Sequence, residues 1–299
     1  MATTYNYISA NRRRSFLLIA VFGLLVVGLG WLFGALTEAG YAGMSIALII
    51  AVGMSLAGYY GGDRIALYTA GARLIRREDN LYLYRIVENL CLTAGLPLPK
   101  IHLISDPNIN AFATGRNPKT ASIAITTGAM EKLENEELEG VIAHELSHIK
   151  NYDIRVMTIV IICVGIITLM TDFFLRAHFF LGGKRNDHNA GQLGAVLMIV
   201  GLVLAILSPV FATLIQLAVS RKREYLADAS GVLLTRYPDG LAQALEKINR
   251  YNQPMPRANH ATAHLYIANP FNGLNKKISA LLSTHPPIQD RIARLRQMA

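Results

Sequence analysis

The chain has 299 residues, of which 52% are hydrophobic and only 16% charged, with a formal net charge of +9. Soluble domains usually carry about a quarter charged residues, so this composition disfavours a wholly soluble chain. The basic excess lies beside apolar runs, with no zinc-finger spacing, RNP-type motif or basic helix, so nothing supports a nucleic-acid partner. Cys91 and Cys163 form neither a disulfide framework nor a CxxC metal site, and both read as small buried hydrophobes.

In chain order, the first element is an uncharged run from Phe16 to Leu36. A helix needs about 20 mostly apolar residues to cross a bilayer, and this run meets that. It follows Arg12, Arg13 and Arg14 like a signal peptide. Its apolar stretch is too long for an h-region, however, and no small-residue cleavage site precedes Tyr41, so it reads as an uncleaved span. Tyr41 to Tyr60 is a second uncharged run. From Asp79 to Ala94, Leu83, Ile86, Val87 and Leu90 recur at helical spacing up to Gly95. Lys100 to Ser105 and Ala121 to Thr127 read as strands, and Asn110 to Gly115 as a third. Asn135 to Asn151 reads as a helix with acidic residues in its first turn, where the helix dipole favours them.

Two further apolar runs follow. Ile154 to Leu175 carries Arg155 and Asp172 near its ends. Leu193 to Val219 is uncharged, with Pro209 as a kink. Both are expected to span; a buried hairpin inside the globular part is the alternative. Pro238 to Tyr251 and Pro287 to Met298 read as helices, proline being tolerated in a first turn.

Basic residues set orientation. Arg12 to Arg14, then Arg64, Arg73, Arg76 and Arg77, then Arg221, Lys222 and Arg223 flank three of the spans. This places both termini and the polar segments in the cytoplasm. The loop from Arg176 to Gln192 departs from the rule with Arg176, Lys184 and Arg185. The expected organisation is a tail and two transmembrane helices over 1–60, a first part of the catalytic domain over 61–153, a transmembrane hairpin over 154–219, and a second part over 220–299. The fold class is α+β, mostly α, in an integral membrane protein with about four transmembrane helices.

The chemistry concentrates in His144-Glu145-Leu146-Ser147-His148. On a helix, His144 and His148 share a face and can reach one metal, while Glu145 enters the same cleft as a general base. Zinc lowers the pKa of a bound water, which such a base can then deprotonate. A catalytic zinc needs a third protein ligand. Glu224 and Asp228 are again four residues apart. Glu224 can ligate, and Asp228 can accept the second N–H of a ligand histidine. Arg221, Lys222 and Arg223 read as a juxtamembrane basic anchor. His148 and Glu224 both lie close to apolar runs, which places the metal within roughly 10 Å of the membrane face.

The chain resembles the HtpX family of membrane metallopeptidases, whose eukaryotic relatives include the prenyl-protein protease. The residues that carry the resemblance are Asn110-Ala111-Phe112-Ala113-Thr114-Gly115, His144 to His148, Ser220 to Asp228 and His285-Pro286-Pro287, in the family's order and spacing. The resemblance implies a zincin-like (gluzincin) domain, one zinc ion per chain, and endopeptidase action on membrane or misfolded proteins. That action fits membrane-protein quality control and stress response. By match, His144, His148 and Glu224 are the zinc ligands and Glu145 the base. Asn110, Ala111 and Phe112 would lie on an edge strand that binds extended peptide by strand addition. His285 would donate to the tetrahedral oxyanion. His260 and His264 are also four apart, but Ala261 follows His260 and supplies no base. His102, His178 and His188 show no partner pattern. A non-catalytic zinc-binding scaffold is the main alternative; a transporter would need ionisable residues in mid-membrane.

Overall fold

A computed structural model describes residues 4–36, 40–160, 162–163, 165, 167, 171, 195–196, 198–207, 221–251, 253–258, 262–270 and 286–298. The chain divides into two compact units. One comprises Met1–Arg12, Gly61–Thr158 and Gln216–Ala299; the other comprises Arg13–Tyr60 and Ile159–Ile215.

Helix α1 spans Thr4–Leu36 and α2 spans Gly40–Thr69. The N-terminal residues expected as a tail are therefore helical from Thr4. Helix α2 also runs beyond Tyr60, through Gly61 and Gly62, and stops just before Gly71, which takes a left-handed φ of 67°. At 1.5 Å per residue these helices are about 50 and 45 Å long, more than a bilayer core of about 30 Å. Their side chains are described only in part. Counting described residues alone, no helix is long and apolar enough to cross a membrane. Most of the third and fourth expected spans lies outside the described residues.

In the second unit, Phe22, Val26, Ile159, Cys163, Val196, Val200 and Leu204 form a small apolar core. Gly58 lets α2 approach the following chain closely, since a Cβ there would stand 2.2 Å from Ile162 Cγ2. Many large apolar side chains of this unit face outward, among them Phe16 (71% exposed), Leu24 (74%) and Ile49 (72%).

The first unit is built on a four-stranded sheet of order β1-β2-β4-β3. The strands are β1 (Ala72–Leu74), β2 (Lys100–Ile104), β3 (Ala111–Thr114) and β4 (Ser122–Thr126). β2 and β4 run parallel, with Ile101 beside Ile123. β3 pairs antiparallel with β4, Ala111 beside Ile125 and Ala113 beside Ile123. The connection from β3 to β4 starts at Gly115. Its φ of 132° and the 2.9 Å that would separate a Cβ from Thr120 O leave room only for glycine. β3 is thus an edge strand, as expected.

Helix α3 (Leu81–Ala94) starts at Asn80, whose side chain accepts from Leu83 N at 2.9 Å, and stops at left-handed Gly95. After α4 (Thr127–Lys132) comes α5 (Asn135–Lys150), buried on nearly every side from Glu137 to Ile149. Glu137 turns back to accept from Glu134 N at 2.7 Å and meets Lys247 at 2.7 Å. The remaining helices are α6 (Arg221–Thr235), α7 (Pro238–Tyr251) and α8 (Ile288–Arg296). Three glycines set how closely α6 and α7 approach α5; a Cβ at Gly240 of α7 would lie 2.5 Å from Glu136 O. Gly140 of α5 touches the α7 backbone, where a Cβ would lie 2.7 Å from Leu241 N. Gly231 of α6 touches α5, where a Cβ would lie 3.1 Å from His144 N.

Alanine normally stabilises a helix interior over glycine by up to about 1 kcal/mol. At Gly140 the sign should reverse, because the added methyl has to displace backbone. Gly140→Ala is expected to destabilise the protein by about 1–3 kcal/mol, read as a lower denaturation midpoint. A raised midpoint would contradict the close α5–α7 contact.

Candidate metal centre

Helix α5 presents His144 and His148 one turn apart. Their rings meet edge to face with centroids 4.7 Å apart, and their Nε2 atoms are 3.2 Å apart. Helix α6 supplies Glu224, whose Oε1 is 3.5 Å from His148 Nε2 and whose Oε2 is 3.8 Å from His144 Nε2. Glu224, Asp228 and Gly231 follow one another at helical spacing. The face that Gly231 presses onto His144 is therefore the face that carries the two carboxylates. All three candidate ligands are buried, and one donor atom from each lies within 4.8 Å of the others.

Each histidine is held from behind. His144 Nδ1 lies 2.9 Å from Asp228 Oδ1, and His148 Nδ1 lies 2.9 Å from Asp153 Oδ2. With Nδ1 donating to a carboxylate, each ring turns a bare Nε2 lone pair toward the other and toward Glu224. Two imidazole nitrogens and a carboxylate oxygen aimed at one point are a donor set that suits a divalent cation. The spacing fits as well. Ligand bonds of about 2.0–2.1 Å in a tetrahedron place donor atoms about 3.3–3.4 Å apart, close to the distances seen here.

The charges lead to the same conclusion. Glu145, Asp153, Glu224 and Asp228 are all buried, and Arg223 and Arg291 are the buried guanidiniums beside them. Four negative and two positive charges leave a deficit that one divalent cation closes. The protonation equilibria reflect it. Burial and the neighbouring Glu224 push Glu145 up to about 7, although the Ala113 backbone N–H donates to its carboxylate. Burial alone would lower His148, but its bond to Asp153 and the charge of Glu224 outweigh that and raise it to about 9. His144, buried and next to the Arg291 cation, falls to about 4.

Arg291 of α8 was not anticipated as a site residue. It is fully buried and grips Asp228 with two bonds, Nε to Oδ2 at 2.9 Å and Nη2 to Oδ1 at 2.6 Å. Its Nη1 donates to Ile267 O at 3.2 Å and lies 3.7 Å from Glu224 Oε2. Burial would raise Asp228, yet the guanidinium and His144 hold it below the usual carboxylate range. Arg223, read from the sequence as part of a basic anchor, is instead buried and bonds Asp153 Oδ1 at 3.1 Å.

Asn110, Ala111 and Phe112 lie at the β3 edge of the sheet, and the outer side of that edge is partly taken. Ile267 N donates to Ala111 O at 3.0 Å, Tyr266 packs edge to face on Phe112, and Asn110 Nδ2 donates to Ala268 O at 3.2 Å. His264 bonds Met157 O at 3.2 Å. His285 and His260 lie outside the described residues.

Fold and site together define a metallopeptidase of the His-Glu-x-x-His kind, and the comparisons with known proteins agree. The chain belongs to peptidase family M48, whose profile matches residues 77–299. It is 43% identical over 297 residues to a protease HtpX homolog of Caldanaerobacter subterraneus, covering 99% of this chain and 98% of the relative. It is 45% identical over 296 residues to that of Dictyoglomus thermophilum, covering 99% and 95%. It is 45% identical over 298 residues to that of Tropheryma whipplei, covering 98% of each. The crystal structure of S. mikatae Ste24p superposes with a TM-score of 0.52 at 18% identity, over 97% of this chain and 67% of that one, a likeness of fold. The chain is thus a metalloprotease, a hydrolase that acts on protein substrates through a metal cofactor.

Removing one partner of a buried charge pair leaves the other uncompensated, at a cost of about 3–5 kcal/mol. Arg291→Met is expected to lose stability on that scale in urea unfolding. Arg291→Lys should recover little of it, because a point charge does not reproduce the two-bonded fork on Asp228. A lysine variant as stable as the wild type would contradict the bidentate contact.

Proposed function

We propose that the chain is a zinc endopeptidase of the cell membrane that cuts membrane or misfolded proteins at the cytoplasmic face. The observation that carries the reading is the convergence of His144 Nε2, His148 Nε2 and a Glu224 oxygen, all buried and within 4.8 Å of one another, with Glu145 on the same turn. His144, His148 and Glu224 hold the metal, and Asp228 orients His144. When bound, zinc supplies Lewis acidity and makes the attacking water more acidic.

Glu145 takes the proton of that water. Burial raises its affinity for a proton above the usual carboxylate range, which suits a base that must also return the proton to the leaving amine. The Ala113 N–H fixes the carboxylate where the water arrives. An extended substrate pairs with β3, the edge strand entered through Asn110, Ala111 and Phe112, with Ala113 O facing the added strand. His285, next to Pro286, is the candidate donor to the oxyanion.

The membrane setting is supported by the outward-facing apolar side chains of α1 and α2. Phe16, Leu24, Trp31 and Ile49 are each more than half exposed, and clustered exposed apolar side chains mark interaction with a membrane or a partner. The four spans, the multi-pass topology and the role in membrane-protein quality control under stress rest on the same apolar runs, on the basic flanks and on the family resemblance.

The test is proteolysis of an unfolded protein and of a membrane protein by purified wild type, by Glu145→Gln, and by wild type after chelation and zinc return. Loss of the base is expected to cost about 10²–10⁴-fold in rate. Chelation should abolish cleavage and zinc should restore it. A Glu145→Gln variant as active as the wild type would overturn the assignment. A folded, zinc-loaded wild type that cuts nothing would point to a binding scaffold. In cells, the protein is expected to stay with the membrane pellet through an alkaline carbonate wash. Release into the supernatant would refute the spans.

A further inference from the structure

Asn11 stands far from the site in sequence, directly before Arg12, Arg13 and Arg14. Its position predicts an exposed flank residue, yet it is 2% exposed. Its Nδ2 donates both to Asp153 Oδ1 at 2.8 Å and to Asn151 O at 2.9 Å. Its Oδ1 accepts from Arg223 Nη1 at 3.3 Å, and Arg223 Nη1 also reaches Asp153 Oδ1 at 3.1 Å. Asp153 is thereby divided: Oδ1 is held by Asn11 and Arg223, and Oδ2 is left for His148 Nδ1 at 2.9 Å.

The local backbone shows why such a clamp is needed. Asp153 sits five residues after His148, and the chain turns back to it through Tyr152, a non-glycine residue with φ 59°. Left-handed backbone at a bulky residue costs of order 1–3 kcal/mol and persists only where its surroundings impose it. Asn11 supplies part of that imposition. It satisfies the carbonyl of Asn151 at the open C-terminus of α5, where helix carbonyls lack partners. Only a side-chain amide offers two donors and an acceptor together. Aspartate could not donate, and leucine could do neither.

We propose that Asn11 is a positioning residue for the metal centre, acting with Arg223 through Asp153 to fix the tautomer and aim of His148. The N-terminal helix thereby contributes to a site whose family profile begins at residue 77. The inference rests on the reading of His148 as a ligand.

The test uses the full-length protein. Zinc dissociation constants and the visible spectrum of the cobalt-substituted form are measured for wild type, Asn11→Leu, Asp153→Asn and the double variant. Loss of an outer partner of a metal ligand typically weakens metal binding about 10–100-fold. Asn11→Leu is expected to weaken zinc by about tenfold or more and to shift the cobalt bands. In the Asp153→Asn background the same change should add less than about twofold, because both act through one carboxylate. A folded Asn11→Leu with unchanged zinc affinity and cobalt spectrum overturns the proposal, as does full additivity with Asp153→Asn. Should Asn11→Leu fail to fold, Asn11→Ser, which stays polar but is too short to span both acceptors, is measured against the same criteria. His148→Ala separates the two levels. If it binds zinc like the wild type, the ligand reading itself fails. If it loses zinc while Asn11→Leu does not, only the positioning role falls.

Discussion

Four carboxylates and two arginines buried around a pair of histidines are the constraint on which the rest of the structure depends. Taking a charge out of water costs several kcal/mol unless it is paired and hydrogen-bonded. Asp228 and Asp153 meet that condition through Arg291 and through Arg223 with Asn11. Glu224 and Glu145 are compensated less fully, and the pocket's own charges sum to two negatives. Such a pocket binds a divalent cation and takes up protons as its fallback, which is the direction in which Glu145 and His148 are shifted. Binding a cation therefore also stabilises the fold, since the ligands converge only in the native chain.

Holding those charges together is a packing problem, and glycine solves it. Helix α5 is covered on nearly all sides, so its partners must approach its backbone closely. Gly231 brings α6 against His144, and Gly140 admits α7. Because Glu224 and Asp228 lie two turns and one turn before Gly231 on the same face, the closest point of the helix pair fixes where both carboxylates fall. The two arginines reach the site from elements with different local roles. Arg223 opens the helix that also carries Glu224, and Arg291 comes from the short α8.

Much of this is legible in the sequence, where the signal is periodic or local. Helix α3 announces itself through Leu83, Ile86, Val87 and Leu90 and ends at Gly95. The His-Glu-x-x-His pair and the Glu224–Asp228 pair share faces simply because they are four apart. What is not legible depends on partners far along the chain. Strand β1 is three residues long, too short to show an alternation, and exists because β2 offers it an edge. Arg291 looks like any surface arginine of an amphipathic helix until Asp228 lies against it. Arg223 and Asn11 stand in basic runs beside apolar stretches, whose bulk composition hides two buried residues. The sequence period reports which face is apolar, and it is silent on which polar residue that face accepts when a partner of opposite charge is waiting there.

The edge strand and the metal centre are tied through a shared residue, Arg291. Of the outward-facing groups of β3, Ala111 O is bonded to Ile267 N, and the Ala113 N–H is committed to Glu145. Arg291, the residue that fixes Asp228, also donates to Ile267 O and so anchors the segment lying across Ala111. On the proposed reading of β3 as the substrate strand, a chain that pairs as far as Ala111 displaces Ile267. Tyr266 stacked on Phe112 and Asn110 bonded to Ala268 O hold the same segment at its two flanks. Whatever loosens that segment also frees one of the five N–H donors of Arg291, so the segment lying across Ala111 and the rigidity behind His144 are tied through one guanidinium.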